Sequence, residues 1–282
     1  MSDKSAVILI TGCSTGFGRA LAEAALIAGL RVIATARRPE TLVSLQEKGA
    51  KALKLDVTAS PTELNEFAAS AISLFGKVDC LINNAGFLQG GALEEATAEE
   101  HLAQFNTNVF GVINVTNAFL PHWRARKQGT IVNISSMGAM LFIPGAGIYC
   151  ASKAALDAVS ETWARELAPF NIRSVSIQPG SFRTAVAESG NMKTAGVQIE
   201  GYDAPHAWVD TFNQTAGKER GDTEIAAAKI IELVSVDPSR ALPGRLTIGE
   251  DAYVTGKTFY ERGLKDLEEW KAFSTGTDAV DQ

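Results

Sequence analysis

The chain has 282 residues and a formal net charge of -6, which disfavours nucleic acid and anionic membrane surfaces as partners. No uninterrupted apolar run of about 18 residues occurs, so no membrane span is predicted. Hydrophobic residues make up 46% of the chain and charged residues 21%, which predicts a well-packed soluble core; the length suits one large α/β domain or two small domains.

Short β-branched runs alternate with longer helical patterns along most of the chain. The patterns predict strands at 6–10, 31–36, 52–57, 78–83, 130–135, 172–178 and 245–248. They predict helices at 17–28, 61–75, 98–126, 148–167 and 223–234. Strands that are apolar on both faces and alternate with helices predict a single-domain, doubly wound parallel sheet with helices on both faces, over residues 1–282.

A glycine-rich turn follows the first predicted strand. Its residues are Gly12, Cys13, Ser14, Thr15, Gly16, Phe17 and Gly18. Glycines let the backbone approach a pyrophosphate, and the N-terminus of the next helix supplies N–H donors and a positive dipole end. A tight turn with no ligand is the alternative, but the position in the first βα unit favours a dinucleotide site of the Rossmann type.

The end of the second predicted strand distinguishes between the two nicotinamide cofactors. A carboxylate there would accept a hydrogen bond from the ribose of NAD, whereas this chain has Arg37 and Arg38. Two guanidinium groups pair well with a 2′-phosphate, so the pattern predicts NADP; two solvated surface arginines are the alternative.

Polar residues also stand at the ends of the third and fourth predicted strands. Asp56 and Val57 close the third, and Asn84, Ala85 and Gly86 follow the fourth. Because ligands bind at the carboxyl ends of strands in open α/β sheets, we expect these residues in the cofactor site. Taken singly, Asp56 and Asn84 are also common turn formers.

Tyr149 and Lys153 are spaced i, i+4, so they share one face of a predicted helix. A phenol with a pKa near about 10 is a proton donor at neutral pH, and a nearby ammonium favours the phenolate. Ser136 ends the preceding strand, where a hydroxyl can hold a substrate oxygen near the phenol. Asn108, in the predicted helix 98–126, is the fourth catalytic candidate; a helix-interior packing contact is its alternative reading.

These motifs together resemble those of the short-chain dehydrogenase/reductase family over about residues 6–250. The matching segments are TGCSTGFG (11–18), DV (56–57), NNAG (83–86), NTNVFG (106–111), ISS (134–136), YCASK (149–153) and PGSFRT (179–184). Within the family, the chain is similar to the branch of 17β-hydroxysteroid dehydrogenase type 1 and the retinol dehydrogenases.

The resemblance implies a role for each matching residue. Tyr149 would be the general acid/base, and Lys153 would lower its pKa and bind the nicotinamide ribose. Ser136 would orient the substrate oxygen and Asn108 would hold a water in a proton relay. The nicotinamide end would contact Pro179, Gly180, Phe182 and Thr184, of which Phe182 replaces the family's usual Val or Ile.

These observations predict an NADP(H)-dependent oxidoreductase that interconverts a secondary alcohol and a ketone. One alternative is a non-redox epimerase or dehydratase of related fold, which usually has a G-x-x-G-x-x-G turn and a longer C-terminal domain. The other is an NADP-binding sensor, which typically lacks the Tyr or Lys retained here at Tyr149 and Lys153.

We expect an apolar substrate pocket, and therefore a bulky, apolar ketone or alcohol. Met137 and Phe142 follow Ser136 and are the predicted substrate contacts, beside Ser136 and Tyr149. Segment 186–222 is a predicted lid that brings Met192, Tyr202, Trp208 and Phe212, although each aromatic residue could instead be ordinary core. His206 in this segment is a candidate substrate contact or an incidental residue, and no metal-ligand cluster is visible.

The remaining expectations concern location and assembly. Three cysteines without a CxxC pair, and no basic or long apolar stretch at the N-terminus, are typical of a cytoplasmic protein. The resemblance implies a homodimer or homotetramer formed through helices 98–126 and 148–169. Residues 250–282 are predicted to be a C-terminal tail.

Overall fold

The computed structural model describes residues 5–184, 191–235 and 241–279. The ends of the predicted domain 1–282 and tail 250–282, and residues 186–190 of the predicted lid, lie outside these described residues.

A sheet of seven parallel strands forms the centre of the fold, in the order β3-β2-β1-β4-β6-β7-β9. Its strands are β1 (Val7–Ile10), β2 (Arg31–Ala36), β3 (Lys51–Lys54), β4 (Cys80–Asn83), β6 (Gly129–Ile134), β7 (Ile172–Pro179) and β9 (Arg245–Ile248). Two short strands, β5 (Leu88–Gly90) and β8 (Met192–Thr194), pair in parallel beside the main sheet. The strand order reverses between β1 and β4, and this reversal creates the crevice in which such sheets bind ligands.

Helices cover both faces of the sheet. They are α1 (Gly16–Ile27), α2 (Val43–Glu47), α3 (Pro61–Phe75), α4 (Ala98–Phe105), α5 (Gly111–Arg126), α6 (Gly138–Leu141), α7 (Gly147–Glu166), α8 (Asp203–Thr215), α9 (Thr223–Ser235) and α10 (Glu250–Ser274). A capping box of Ser60 and Glu63 begins α3. Of the predicted tail 250–282, residues 250–274 form the long helix α10.

Two hydrophobic cores lie on opposite sides of the sheet. One joins the strands to α1 and α9 through residues such as Leu21 and Ile230. The other joins them to α3, α5 and α7 and contains the stacked rings of Phe119 and Trp123. The doubly wound, single-domain fold predicted from the alternation of strands and helices is therefore confirmed.

Two differences from the predicted elements bear on the site. β3 ends at Lys54 rather than at Val57, because the Asp56 carboxylate accepts hydrogen bonds from the N–H and the hydroxyl of Thr58 and turns the chain. The helix predicted over 98–126 contains a π-helical turn at Asn106–Phe110 between α4 and α5. Such turns often occur at functional sites, and this one carries Asn108.

Among the described helices, we find none that combines the length and the apolar character needed to cross a membrane.

Candidate active site

A cavity of about 780 Å³ opens at the carboxyl ends of the central strands. Most of the predicted cofactor residues line it, namely Gly12, Ser14, Thr15, Gly16, Phe17, Arg37, Asp56, Val57, Asn84, Ala85, Gly86, Tyr149, Lys153, Pro179, Gly180, Phe182 and Thr184. The predicted cofactor residues Gly18 and Arg38 lie outside the cavity wall. The strand ends bring together predicted cofactor residues that are up to 172 positions apart in the sequence, counted from Gly12 to Thr184.

Close backbone packing holds the glycine turn in shape. Gly12 has a φ of +72°, and a Cβ on it would lie 2.9 Å from Ala85 Cα. A Cβ on Gly18 would lie 2.3 Å from Asn84 Nδ2. The same Nδ2 donates to the carbonyls of Thr11 and Gly12, at 2.9 and 3.1 Å. Gly18 therefore supports the turn from behind rather than lining the cavity.

Arg37 and Asp56 form one end of the cavity. Burial raises the pKa of Asp56, but the hydrogen bonds from Thr58 and the charges of Arg37 and Lys54 outweigh this and hold its pKa below the usual value. Asp56 is therefore an anion beside the Arg37 guanidinium, and Arg37 alone of the two arginines lines the cavity.

The shape and chemistry of this region fit a dinucleotide. Glycines at the turn keep side chains away from the cavity floor, and the N-terminus of α1 faces the same space with its free N–H groups. A Cβ on Gly16 would meet Thr184 Cβ at 3.5 Å, so the turn and the loop after β7 face each other closely. The Phe182 ring packs edge-on against Phe17 at 5.6 Å between centroids, which gives the larger side chain at position 182 a place in this wall.

Ser136 and Tyr149 meet at the other end of the cavity. The Ser136 hydroxyl accepts a hydrogen bond from the Gly138 N–H at 3.0 Å, which fixes its oxygen. Tyr149, in the first turn of α7, is its neighbour: a Cβ on Gly138 would lie 3.3 Å from Ser136 Oγ and 3.4 Å from Tyr149 Cε1. Both oxygens therefore face the point where a substrate oxygen would lie.

Lys153 and Asn108 extend this group below Tyr149. Lys153 is buried, and its Nζ donates to the Ile134 carbonyl at 2.7 Å and lies 5.7 Å from the centre of the Tyr149 ring. Asn108 Oδ1 accepts from the Phe87 N–H at 3.2 Å, and its Nδ2 donates to Ser152 Oγ at 3.2 Å. Asn108 lies behind the cavity wall and not on it.

Gly86 separates the Asn108 amide from the Lys153 ammonium. A Cβ at this position would lie 3.0 Å from Asn108 Oδ1 and 3.7 Å from Lys153 Nζ. Both polar groups therefore converge on the same glycine, and the π-helical turn brings Asn108 there.

The pKa of Tyr149 differs from the sequence-based expectation. Burial raises it to about 12, and the hydrogen bond with Ser136 offsets only part of this rise. Burial also lowers the pKa of Lys153 to about 8, against an opposing effect of Asp157. In the protein alone, Tyr149 is therefore a protonated phenol at neutral pH, and no lowering by Lys153 is seen.

The substrate end has an apolar wall formed by the segment after Ser136. Met137 lines the cavity as predicted, together with Leu141 and Ile143. Phe142 does not line it: this residue has a φ of +50°, is 60% exposed and packs against Phe259 of α10 at 5.8 Å between ring centroids. The left-handed backbone turns its side chain away from the cavity.

Helix α8 forms the opposite wall. Its residues Trp208, Thr211, Phe212 and Thr215 line the cavity. Tyr202, which precedes α8, is not in the wall; its hydroxyl donates to Glu94 at 2.5 Å. Met192 lies on β8, and its Cε lies 2.9 Å from where a Gly90 Cβ would stand, so β8 packs closely on β5.

A buried carboxylate, which sequence reasoning missed, ties this wall to the body of the protein. Glu95 is 4% exposed and accepts hydrogen bonds from the N–H groups of Ala92 and Ile199, both at 2.8 Å. His206 Nε2 of α8 lies 2.5 Å from Glu95 Oε1, the same oxygen that accepts from Ile199. His206 is thus a structural partner of Glu95, and no local pattern in the sequence pairs two residues 111 positions apart.

Comparisons with known proteins agree with this architecture. A family model described as short chain dehydrogenase matches residues 6–195. A 3-ketodihydrosphingosine reductase from Bacteroides thetaiotaomicron is 42% identical over 196 residues, which cover 70% of this chain and 71% of the relative. The oxidoreductase BOA17 from Botryotinia fuckeliana is 35% identical over 271 residues, 94% of this chain and 96% of the relative. The chain therefore belongs to the short-chain dehydrogenase/reductase family and is an oxidoreductase.

Solved structures agree as well. A short-chain dehydrogenase from Streptomyces avermitilis matches with a TM-score of 0.87 at 40% identity, over 99% of this chain and 100% of its own. An alcohol dehydrogenase from Thermococcus sibiricus complexed with 5-hydroxy-NADP matches with a TM-score of 0.70 at 25% identity, over 87% and 96% of the two chains. A 3-ketoacyl-(acyl-carrier-protein) reductase from Brucella melitensis complexed with NADH has the same TM-score of 0.70 and 25% identity, over 86% and 96%. The family likeness supports a nicotinamide cofactor without choosing between NAD and NADP.

Proposed function

We propose that this protein is an NADP(H)-dependent oxidoreductase that interconverts a secondary alcohol and a ketone on a bulky, apolar substrate. The observation that carries the proposal is the meeting of Ser136 and Tyr149 above buried Lys153, in the wall of a cavity that extends to Arg37.

A nicotinamide held beside Tyr149, Lys153 and the loop after β7 would supply the hydride in reduction or accept it in oxidation. In ketone reduction, Ser136 and Tyr149 hold the substrate oxygen by hydrogen bonds, and Tyr149 donates its phenolic proton to that oxygen as negative charge develops there. The ammonium of Lys153 stabilises the phenolate that this step leaves behind. Lys153 would then pass one proton to the Tyr149 phenolate and regain one from solvent, through the water that the family resemblance assigns to Asn108.

The choice of NADP rests on Arg37. This residue lines the cavity at the end of β2, the strand end that recognises the adenosine ribose in dinucleotide-binding folds, and the strand end itself carries no carboxylate. Asp56 is the nearby anion, and its charge interacts with Arg37. A guanidinium that faces both Asp56 and the cavity can pair with a phosphate oxygen while Asp56 stays in its turn with Thr58.

The apolar substrate class rests on the two walls beyond Tyr149. Met137, Leu141 and Ile143 face Trp208 and Phe212 across the same cavity. The name of the Bacteroides relative specifies a keto substrate with a sphingoid chain, which is compatible with such walls.

The test is cofactor consumption across a panel of aliphatic, aromatic and polycyclic ketones, with NADPH and NADH compared at each. We expect a higher kcat/KM with NADPH and with apolar ketones. Charged small molecules as the best substrates would refute the substrate class, and a preference for NADH would refute the cofactor.

Arg37→Ala sharpens the cofactor test, with Arg38→Ala as its matched control outside the cavity. Because a charge-assisted hydrogen bond contributes about 1.5–3 kcal/mol, Arg37→Ala should weaken NADPH binding by about 10- to 100-fold and leave NADH binding unchanged. Equal losses for both cofactors, or a larger loss in Arg38→Ala, would contradict the assignment.

We also propose a cytoplasmic location and a homodimer or homotetramer. Cys13, Cys80 and Cys150 are all free and buried, which suits a reducing compartment. Leu102 and Phe110, on the segment from α4 to α5, are 59% and 48% exposed and offer apolar surface for a partner copy. Light scattering on the purified protein measures the mass directly, and a monomer at all concentrations would contradict the assembly.

A further inference from the structure

Asp157 is a buried carboxylate that the proton-transfer scheme does not use. It follows Lys153 by four residues, as Lys153 follows Tyr149, so all three lie along one face of α7. Its exposed fraction is 0%. Because removing a carboxylate from water is costly unless it is compensated, a residue in this position calls for an explanation.

The direct partners of Asp157 are neutral. Its Oδ1 accepts a hydrogen bond from Ser176 Oγ at 2.5 Å, and its Oδ2 accepts from Gln178 Nε2 at 2.7 Å. Both donors belong to β7, which leads directly into Pro179 at the cavity. These hydrogen bonds fix the carboxylate without cancelling its charge.

Lys153 is the buried cation nearest to this carboxylate along α7. Cβ atoms at i and i+4 on a helix are about 5–6 Å apart. The other groups that face Lys153 are uncharged: the Ile134 carbonyl of β6, the Asn108 amide of the π-helical turn and the Tyr149 phenol. Burial lowers the pKa of Lys153, and the charge of Asp157 raises it.

The charges beyond Asp157 form a separate pair. Arg245 of β9 forms an ion pair with Glu161, one turn further along α7. Asp157 also raises the pKa of Arg245, although burial lowers it. Asp157 therefore lies between two cations, of which Arg245 has its own carboxylate partner and Lys153 has none within ion-pair distance among the described residues.

We propose that Asp157 is a positioning residue that keeps Lys153 in its ammonium form beside Tyr149. This inference rests on the proposed function. When Tyr149 gives its proton to the substrate oxygen, the resulting phenolate needs a cation next to it. Asp157 ensures that the cation is present by placing a fixed negative charge one helical turn behind the ammonium.

The test is the pH dependence of kcat/KM for ketone reduction in Asp157→Asn. We expect the alkaline limb to move to lower pH by about one unit, so that activity lost at neutral pH returns on acidification. NMR titration of isotope-labelled lysine in the cofactor-free protein, with the Lys153 signal assigned from Lys153→Met, should show the same shift of the Lys153 pKa.

Two matched variants separate charge from structure. Ser176→Ala removes a hydrogen bond to Asp157 but keeps its charge, and Glu161→Gln removes a carboxylate one turn further from Lys153. Both variants should keep the alkaline limb of kcat/KM at the pH at which the wild-type protein has it. If Asp157→Asn also keeps it, and only loses thermal stability as Ser176→Ala does, then the proposal is overturned and Asp157 is a structural anchor for β7.

Two further outcomes complete the design. If Asp157→Asn does not fold, Asp157→Glu takes its place as the test variant, because it disturbs the packing but retains the charge. The proposal requires this variant to keep the alkaline limb of the wild-type pH profile, and a limb moved by one pH unit would overturn the proposal. If the wild-type protein reduces no ketone at any pH, the proposed function is wrong. The NMR titration of Lys153 does not need activity, so it still tests whether Asp157 raises the pKa of Lys153.

Discussion

The two walls of the cavity are built in different ways. The wall with Tyr149 and Lys153 consists of adjacent regular elements, and its contacts run from side chains to the backbone of the neighbouring strand, as from Lys153 to Ile134. The wall formed by α8 depends on single side chains that reach across the chain, above all Glu95 and His206. The wall with Tyr149 and Lys153 is therefore built into the central sheet and its neighbouring helix, whereas the α8 wall is attached to the rest of the protein by a few side chains.

This difference separates cofactor and proton chemistry from substrate admission. The glycine turn, Ser136 and Tyr149 are fixed by packing of the sheet and cannot shift without disturbing the core. Helix α8 has one buried residue, Val209, so its position depends on few contacts. Damage to the first wall should therefore affect cofactor binding and kcat, and damage to the second should affect KM for the ketone.

Of the variants that test this difference between the walls, Gly18→Ala should have the largest effect, because it disturbs the glycine turn. The added Cβ would stand 2.3 Å from both Asn84 Nδ2 and the Gly12 carbonyl. Overpacking of this kind costs about 1–3 kcal/mol, so NADPH binding, measured by fluorescence titration, should weaken about 10- to 100-fold. Gly196→Ala is the control, because a Cβ there meets nothing within 4 Å. Equal affinity in both variants would show that the turn is not held by its packing.

A smaller effect is expected from loosening the α8 wall with Glu95→Gln. The amide cannot accept from Ala92, Ile199 and His206 as the carboxylate does, so we expect KM for the ketone to rise about 10-fold, in line with the loss of one charge-assisted hydrogen bond. NADPH binding should not change. Glu94→Gln is the matched control, since Glu94 is exposed and its carboxylate accepts from the Tyr202 hydroxyl rather than from the α8 contact with Glu95. A fall in NADPH affinity in Glu95→Gln would contradict the expectation that the α8 wall affects only binding of the ketone.

The smallest effect is expected from the pH dependence of the Glu95 tether, by which we mean the hydrogen bonds of the Glu95 carboxylate with Ala92, Ile199 and His206. The hydrogen bond from the Ile199 N–H is the largest influence on Glu95 and, with those from His206 and Ala92, holds its pKa below the usual 4.5 despite burial. A lowered pKa means that the tether is complete above about 4.5 and is lost as the pH falls through the lower value. KM for the ketone should therefore be constant from neutral pH to about 4.5 and rise a few-fold below it in wild type, but not in Glu95→Gln. A rise that begins near neutral pH would point to another group.

The sequence was most informative where function depends on neighbours along the chain. The strands and helices follow from apolar periodicity, and the glycine turn, Tyr149 and Lys153 each lie within a few residues of the element that positions them. The parallel sheet then brings these segments to one edge, which is a consequence of topology and therefore predictable.

Contacts between distant segments could not be predicted in the same way. The Glu95 tether joins residues 111 positions apart, and the Asp157 contacts with β7 depend on the register of α7 on the sheet. Phe142 was predicted in the cavity from its position after Ser136, but a left-handed backbone turns it outward. The π-helical turn at Asn108 likewise depends on hydrogen bonds to Phe87 that only the folded chain makes.

The central claim is that Tyr149 donates the proton in ketone reduction, and the measurement that tests it most directly is kcat of Tyr149→Phe beside NADPH affinity. Tyr202→Phe is the matched control, because it removes a phenolic hydroxyl on the α8 side that donates to Glu94 and lies outside the cavity wall. We expect Tyr149→Phe to lose about 10²- to 10⁴-fold in kcat, the usual contribution of a general acid, with NADPH affinity unchanged and Tyr202→Phe close to wild type. A Tyr149→Phe enzyme with a kcat within a few-fold of wild type would contradict the account.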